Sequence, residues 1–308
     1  MRMPSAEPAN YGGDMATTRR DFLFAAGGAL ALAACGGTPN TGSSGTTPAG
    51  GTSTDGPAPK NFAVVQRFPS SGLFVPGEVR LPVSISDGQS LSSVGPATLK
   101  GSIVDFKGAK VADVVGVRRS EGISIPYWEV RAQLTAPMIY TLRFEGDDGM
   151  GASFELFDAK DIKSPLTGKP LPPFDTPTKD NHRGVEPYCS RRPDPCPLHD
   201  VTLTDALKTG KPVAYMIGTP AHCQTGSCAP GLEALVEQHQ RIGDAMVMVH
   251  ADVYADDAAT VTSPAVAALG VMYEPIIYFT DKSGVVVDRL DGVWDKSELR
   301  DRLAKLGF

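Results

Sequence analysis

The sequence predicts a multidomain protein in which an N-terminal all-β antiparallel sandwich is followed by an α/β domain. Three observations carry that expectation. Residues 61–159 hold about seven short runs of alternating apolar and polar residues separated by Gly, Pro, Asp and Ser, the signature of an antiparallel sandwich. From Asp200 onward, buried-looking strands alternate with amphipathic helical stretches. Between and before these regions, Gly-, Ser-, Thr- and Pro-rich stretches have too little apolar mass to fold by themselves. With 308 residues, the chain is long enough for two ordinary cores once its ends are set aside.

The N-terminus reads as an address. From Met15, "MATTRRDFLFAAGGALALAACGG" joins a paired-arginine region, an apolar run too short to span a bilayer and small residues before Cys35. "TRRDFLF" resembles the twin-arginine export signal at Arg19, Arg20, Phe22 and Leu23, and "LAAC" resembles a lipobox ending at Cys35. The resemblance implies that residues 1–35 are a lipoprotein signal cleaved before Cys35. The mature chain would then be lipid-anchored in the cell envelope, on the extracytoplasmic face of the membrane. Residues 36–60 read as a flexible tether with a root-mean-square reach of about 25–30 Å. The net charge is -6 with both signs interspersed, so nucleic acid is not an expected partner.

Across residues 61–159 the strands are expected at "FAVVQRF", "EVRLPVSIS", "LKGSIVDF", "KVADVVGVRR", "YWEVRAQL", "MIYTLRFEG" and "GASFELFD". "APMIYTLRFEGDDG", around Tyr140, resembles a late strand of bacterial immunoglobulin-like domains, in which a tyrosine anchors the sheet. That resemblance implies an immunoglobulin-like spacer or protein-interaction module. Tyr127 and Trp128, in "PYW", are expected in its core rather than on a sugar- or peptide-binding platform.

Residues 160–188 read as a Pro-rich, extended linker. After it, "YCSRRPDPCPLHD" cannot be helical throughout, because prolines interrupt it. If lipid occupies Cys35, then Cys189, Cys196, Cys223 and Cys228 remain, an even count that suits two disulfides in an exported chain. Three pairings are possible, the simplest being Cys189 with Cys196, as a structural loop, and Cys223 with Cys228. The other reading of the first pair is a Cys-Cys-His metal site completed by His199, with a fourth ligand from elsewhere.

The last third gives the order of elements. "TLTDALKTG" reads as a Thr-capped helix, "KPVAYMIGT" as a buried strand, and "GTPAHCQTGSCAPGLEALVEQHQRIG" as a loop and helix. "AMVMVHADV" follows as a strand, "SPAVAALGV" as a short helix, "PIIYFT" and "VVVDRL" as a hairpin turned by "DKSG", and "DKSELRDRLAKL" as a closing helix. This βαβαββα order resembles the thioredoxin fold, over a domain assigned to residues 189–308. "ALGVMYEPIIYFTDKSGVVVDRLDG" matches the family pattern of helix end, cis-proline and hairpin, with Pro275 as the cis-proline. The resemblance implies that Cys223 attacks and Cys228 resolves, so that Cys223, Cys228 and Pro275 form the catalytic group.

The chemistry needs one accessible sulfur with thiolate character and a second close enough to resolve a mixed disulfide. Four residues separate Cys223 from Cys228 where the family has two. On one regular helix, positions five apart point about 140° away from each other, too divergent for a disulfide. The intervening residues must therefore bulge. Gly226 permits the bulge, with Ser227 as helix cap, Cys228 in the first turn and Pro230 tolerated there. The tryptophan common before the first cysteine is replaced by "PAH", and Glu274, before Pro275, would disfavour a thiolate nearby.

Three functions fit these residues. The first is a cofactor-free thiol-disulfide oxidoreductase acting on the thiols or disulfides of exported proteins. The second is a copper-handling protein resembling the Sco group, with Cys223, Cys228 and His222, or else His250, holding Cu(I). In that sequence context His250 is otherwise expected as a core or edge histidine. The third is a non-catalytic binding module with structural disulfides. Peroxidase chemistry is less suited, since "TPAHC" only loosely resembles a peroxidatic Thr-x-x-Cys.

Overall fold

The computed structural model describes residues 56–69 and 72–308. Arg19, Arg20 and Cys35 lie outside the described residues, as does the tether up to residue 55. Among the described residues, no helix is long and apolar enough to cross a membrane. The described residues belong to one compact unit, residues 49–308.

All seven expected strands of the first half form: β1 (Ala63–Gln66), β2 (Gly77–Ser86), β3 (Thr98–Asp105), β4 (Lys110–Arg119), β5 (Tyr127–Leu134), β6 (Ile139–Phe144) and β7 (Ala152–Glu155). They make one antiparallel sheet in the order β1-β2-β5-β4-β3-β6-β7, not the two separate sheets of the expected sandwich. The physical reason is the long strand β4, which pairs with β3 from Lys110 to Val117 and with β5 through Val117, Arg118 and Arg119, so one strand joins the two halves. In the β3–β4 turn, the Asp105 carboxylate accepts from the Lys107 and Ala109 amides at 2.8 and 2.9 Å. The sheet coils until its ends approach: the Asp148 amide donates to the Phe62 carbonyl at 2.9 Å, and the Phe157 amide to Phe74 at 2.9 Å. Alternate residues Leu81, Val83 and Ile85 point inward with Ile103, Trp128, Val130 and Leu142. Tyr127 and Trp128 are both fully buried, as expected of core aromatics. The Tyr140 hydroxyl donates to the Ala136 carbonyl, four residues back, at 2.9 Å.

The second half comprises α1 (Leu203–Lys208), β8 (Val213–Ile217), α2 (Cys228–Ile242), β9 (Val247–Ala251), α3 (Pro264–Leu269), β10 (Ile276–Thr280), β11 (Val286–Asp291) and α4 (Lys296–Lys305). The Thr202 hydroxyl caps α1 by accepting from the Asp205 amide at 3.0 Å. The sheet runs β11-β10-β8-β9, with β8 and β9 parallel and the other pairs antiparallel. Every residue of β8 is buried, as a strand covered on both faces must be. Ala214 and Met216 pack toward α2 and α4, whereas Val213, Tyr215 and Ile217 pack toward α1 and α3. Strand order and connectivity are those implied by the thioredoxin resemblance.

Residues 160–188 are extended but do not hang free between two bodies. The Gly168 amide donates to the Val286 carbonyl at 2.8 Å, Val286 to Lys169 at 2.9 Å and Leu171 to Gly284 at 2.9 Å, and Leu171 is buried in the α/β core. The segment satisfies an edge of β11 that would otherwise be open.

A buried charged junction joins the two sheets. Arg80 on β2 makes a two-pronged contact with Glu298 on α4, both bonds 2.6 Å, and also donates to the carbonyls of Asp291 and Val293. The Tyr127 hydroxyl donates to the same carboxylate and accepts from the Asp295 amide. Burial by itself would depress the Arg80 pKa, but Glu298 outweighs it and the pKa is raised. Burial alone would raise Glu129, yet Arg131, Arg80 and Arg119 hold its carboxyl down at about 2.

Candidate active site

Strand β8 ends at Ile217, and the chain crosses a loop before α2 begins at Cys228. Cys223 lies in that loop and Cys228 is the first residue of the helix, with a disulfide between them and their Cα atoms 5.9 Å apart. The loop is a tight turn: the Gly226 amide donates to the Cys223 carbonyl at 3.0 Å, and Gly226 has φ +66°. That left-handed conformation favours glycine, so this residue turns the extra length of the Cys-x4-Cys spacing back on itself. The Cys228 amide points at Cys223 Sγ across 3.3 Å, so a free donor at the helix start faces the outer sulfur. Cys223 is half-buried, whereas Cys228 is fully buried. Of the two sulfurs, only that of Cys223 is open to an incoming partner.

Ser227 occupies the cap position, but its side chain does not cap. Its hydroxyl donates to the Gly292 carbonyl at 2.7 Å and lies 2.6 Å from Thr225 Oγ1. Gly292 in turn has φ +76°, and a Cβ there would overlap the Arg67 carbonyl, so the cysteine loop is tied through one backbone contact to the β half. Arg67 also donates to the Thr225 carbonyl at 3.4 Å.

The Glu274–Pro275 peptide is cis. A Cβ placed on Gly218 would sit 3.2 Å from Pro275 Cβ and 3.5 Å from Cys228 Sγ, so the proline and the inner sulfur meet at this glycine. Glu274 Oε2 accepts from the Thr219 amide at 2.6 Å and lies 3.5 Å from Cys228 Sγ. Burial raises the Glu274 pKa, with the Thr219 bonds pulling the other way. The sequence expectation that Glu274 opposes a thiolate acquires a direction here. The carboxyl lies against the inner sulfur, that of Cys228.

The copper alternative set His222, or else His250, beside the two sulfurs, and the His250 ring lies instead against Cys189 and Cys196. The group that joins Cys223 and Cys228 within 4.8 Å is instead Glu274. The His222 ring faces Tyr254, 6.3 Å between centroids, and its buried Nε2 has no partner. The hard carboxylate that takes its place is a poor match for Cu(I).

Cys189 and Cys196 are not the structural disulfide expected of them: both are free and buried. Each sulfur turns toward His250 Nδ1, at 3.8 Å from Cys189 and 3.5 Å from Cys196, and His199 Nε2 lies 3.2 Å from the same nitrogen. A hydrogen bond from Cys196, followed by those from His199 and His250, pulls the Cys189 thiol far below its ordinary range despite burial. His250 is a core histidine, as the sequence suggested, yet it also completes a cluster of four. Cys196-Pro-Leu-His199 carried the spacing signal; the arrival of His250 from β9 could not be read along the chain.

The bonded pair at the head of α2, cis-Pro275 and the order β11-β10-β8-β9 define a thioredoxin-like α/β fold bearing a Cys-x4-Cys disulfide. No family model matches the chain, and no curated protein matches it. Among solved structures, it is similar to a putative thiol:disulfide interchange protein DsbE from Chlorobium tepidum, with 18% identity, 46% of this chain and 98% of that chain covered, and a TM-score of 0.34. It is also similar to a thioredoxin-family thiol:disulfide interchange protein from Chlorobium tepidum TLS, with 16% identity over 46% of this chain and 97% of that chain, and a TM-score of 0.33.

Proposed function

We propose that this protein is a thiol-disulfide oxidoreductase of the cell envelope, lipid-anchored through Cys35, whose Cys223–Cys228 pair exchanges with the thiols or disulfides of exported proteins. The observation that carries this reading is the asymmetry of the pair. One sulfur is accessible, its partner is buried, and a carboxyl with a raised pKa lies 3.5 Å from the buried one.

From the bonded form, a thiolate of a reduced protein attacks Cys223 Sγ in line with the disulfide. A new S–S bond joins it to Cys223, the Cys223–Cys228 bond breaks, and Cys228 leaves, taking its proton from Glu274. A second substrate thiolate then attacks the mixed disulfide and releases Cys223 as a thiolate. Two electrons have passed from the substrate dithiol to the cysteine pair. Run in reverse, Cys223 thiolate attacks a substrate disulfide and Cys228 resolves, giving its proton to Glu274. The β half, tied to the cysteine loop through Arg67, Thr225 and Gly292, is read here as an immunoglobulin-like spacer that also fixes the loop's position.

The test is a trap. With Cys228→Ala, Cys223 has no resolving partner, and mixed disulfides with exported proteins should accumulate on non-reducing gels, while Cys223→Ala yields none. Equal trapping by both variants, or by neither, removes the proposal.

A further inference from the structure

We propose that Cys189, Cys196, His199 and His250 form a closed, four-coordinate zinc site that braces the redox loop from beneath. The four ligand atoms lie within 4.8 Å of one another, and all four residues are buried. A tetrahedral ion with Zn–S of about 2.3 Å and Zn–N of about 2.0–2.1 Å sets its ligands about 3.6 Å apart for sulfur to nitrogen and about 3.3 Å apart for nitrogen to nitrogen. The distances here are 3.8 and 3.5 Å from the two sulfurs to His250 Nδ1, and 3.2 Å between the two imidazoles.

The outer partners point the same way. His250 Nε2 is 2.8 Å from the Gly218 carbonyl, and His199 Nδ1 is 3.2 Å from the Pro177 carbonyl. A carbonyl only accepts, so each ring commits its N–H outward. The two nitrogens left, 3.2 Å apart, then face each other as lone pairs. Two such nitrogens in a buried site are satisfied by a proton or by a metal ion between them; with two sulfurs in reach of the same point the donor set is that of zinc, and ligating histidines are usually fixed by an outward bond of this kind. The Cys196 amide also donates to Cys189 Sγ at 3.3 Å, which favours the thiolate that a metal needs. Two thiolates and two imidazoles form a neutral site with zinc, without an open position for substrate.

The site reaches the cysteine loop through bonds already described and two more. Gly218, which accepts from His250, is flanked by Pro275 and Cys228. Ser190, next to Cys189, accepts from the Ala221 amide at 3.3 Å, and the Ser190 amide donates to Asp252 at 2.9 Å. The loop that presents Cys223 is therefore held on its inner side by residues adjoining the metal ligands.

The experiment is elemental analysis of the full chain purified without added metal, followed by exchange with Co(II). The proposal expects about one zinc per chain. It expects Co(II) to give the visible bands of a tetrahedral ion with thiolate charge transfer, both unchanged in the Cys223→Ser, Cys228→Ser double variant and abolished in Cys196→Ser. Because Cys196→Ser could disrupt folding, the metal content and Co(II) spectrum of the unaltered chain decide the matter independently. A chain without stoichiometric metal, one holding copper there, or a Cys189–Cys196 disulfide found by non-reducing peptide mapping would each overturn it. Loss of exchange activity with zinc retained would count against the oxidoreductase reading alone.

Discussion

Glu274 shows how one side chain changes meaning when its neighbour is known. Its carboxylate lies 3.5 Å from Cys228 Sγ and within 4.8 Å of Cys223 Sγ, and in the proposed exchange it acts as a proton store for the sulfur that leaves and returns. Its pKa is raised by burial, so the protonated carboxyl persists to higher pH than an exposed one would. As pH falls through that pKa, Glu274 gains the proton that the departing Cys228 requires. Glu274→Gln, which can keep an acceptor for the Thr219 amide but carries no transferable proton, should slow attack on the disulfide by about a hundredfold, the lower end of general acid–base effects. The fall in the rate per substrate thiolate as pH rises through the Glu274 pKa should vanish with it. Stopped-flow oxidation of a model dithiol across pH measures both, and an unaltered profile would show that Glu274 handles no proton.

At the scale of the element, the β8–α2 loop depends on a residue that accepts a left-handed backbone. Gly226, at φ +66°, has nothing within 4 Å of where a Cβ would stand, so Gly226→Ala adds backbone strain without a clash. The expected loss is about 1 kcal/mol, read as a lower urea midpoint with an unchanged slope and the disulfide intact. Helix α4 offers a second case. Asp295 caps it, with its carboxylate accepting from the amides of Glu298 and Glu121, each at 2.7 Å, so one residue both starts the helix and fastens it to the chain following β4. Asp295→Ala should therefore cost more than an isolated cap, about 2 kcal/mol by thermal or urea unfolding.

At the scale of the whole molecule, the two sheets are expected to unfold together. Glu298 is 1% exposed and its closest charge partner is Arg80, so Arg80→Met leaves a buried carboxylate with only the longer contacts to Arg131, at 3.4 Å, and Arg302, at 4.0 Å. Breaking one half of such a pair costs about 3–5 kcal/mol. Urea unfolding followed by the signals of both halves should show one transition moved to lower denaturant; separate transitions in the unaltered chain would show that the junction does not couple them. Acid should weaken the same junction. The Glu129 pKa lies near 2 in the fold against an ordinary 4.5, so its contribution is present above about 4.5 and is lost as pH falls toward about 2. Glu129→Gln should flatten the fall in stability across that window.

Local patterns carried much of the architecture. While the cis peptide at Pro275 was implied by the thioredoxin resemblance, alternation in "KVADVVGVRR" and "YWEVRAQL" marked β4 and β5 to the residue, Thr202 announced α1, and Gly226 announced a bulged cysteine loop. Each of these is set by the conformational preference of a few consecutive residues, which a sequence displays directly. The sequence did not display which distant groups would meet. The hydrogen bonding of residues 168–171 to the start of β11, Arg80 on Glu298, and His250 arriving between Cys189 and Cys196 all join positions far apart in the chain. Such contacts depend on how coiled sheets and covering helices pack, a balance of burial and desolvation summed over many residues. Sequence determined that Cys223 and Cys228 stand where a thioredoxin-like strand meets its helix; only tertiary structure decided that Glu274 faces the inner sulfur and that the second cysteine pair turns to two histidines rather than to itself.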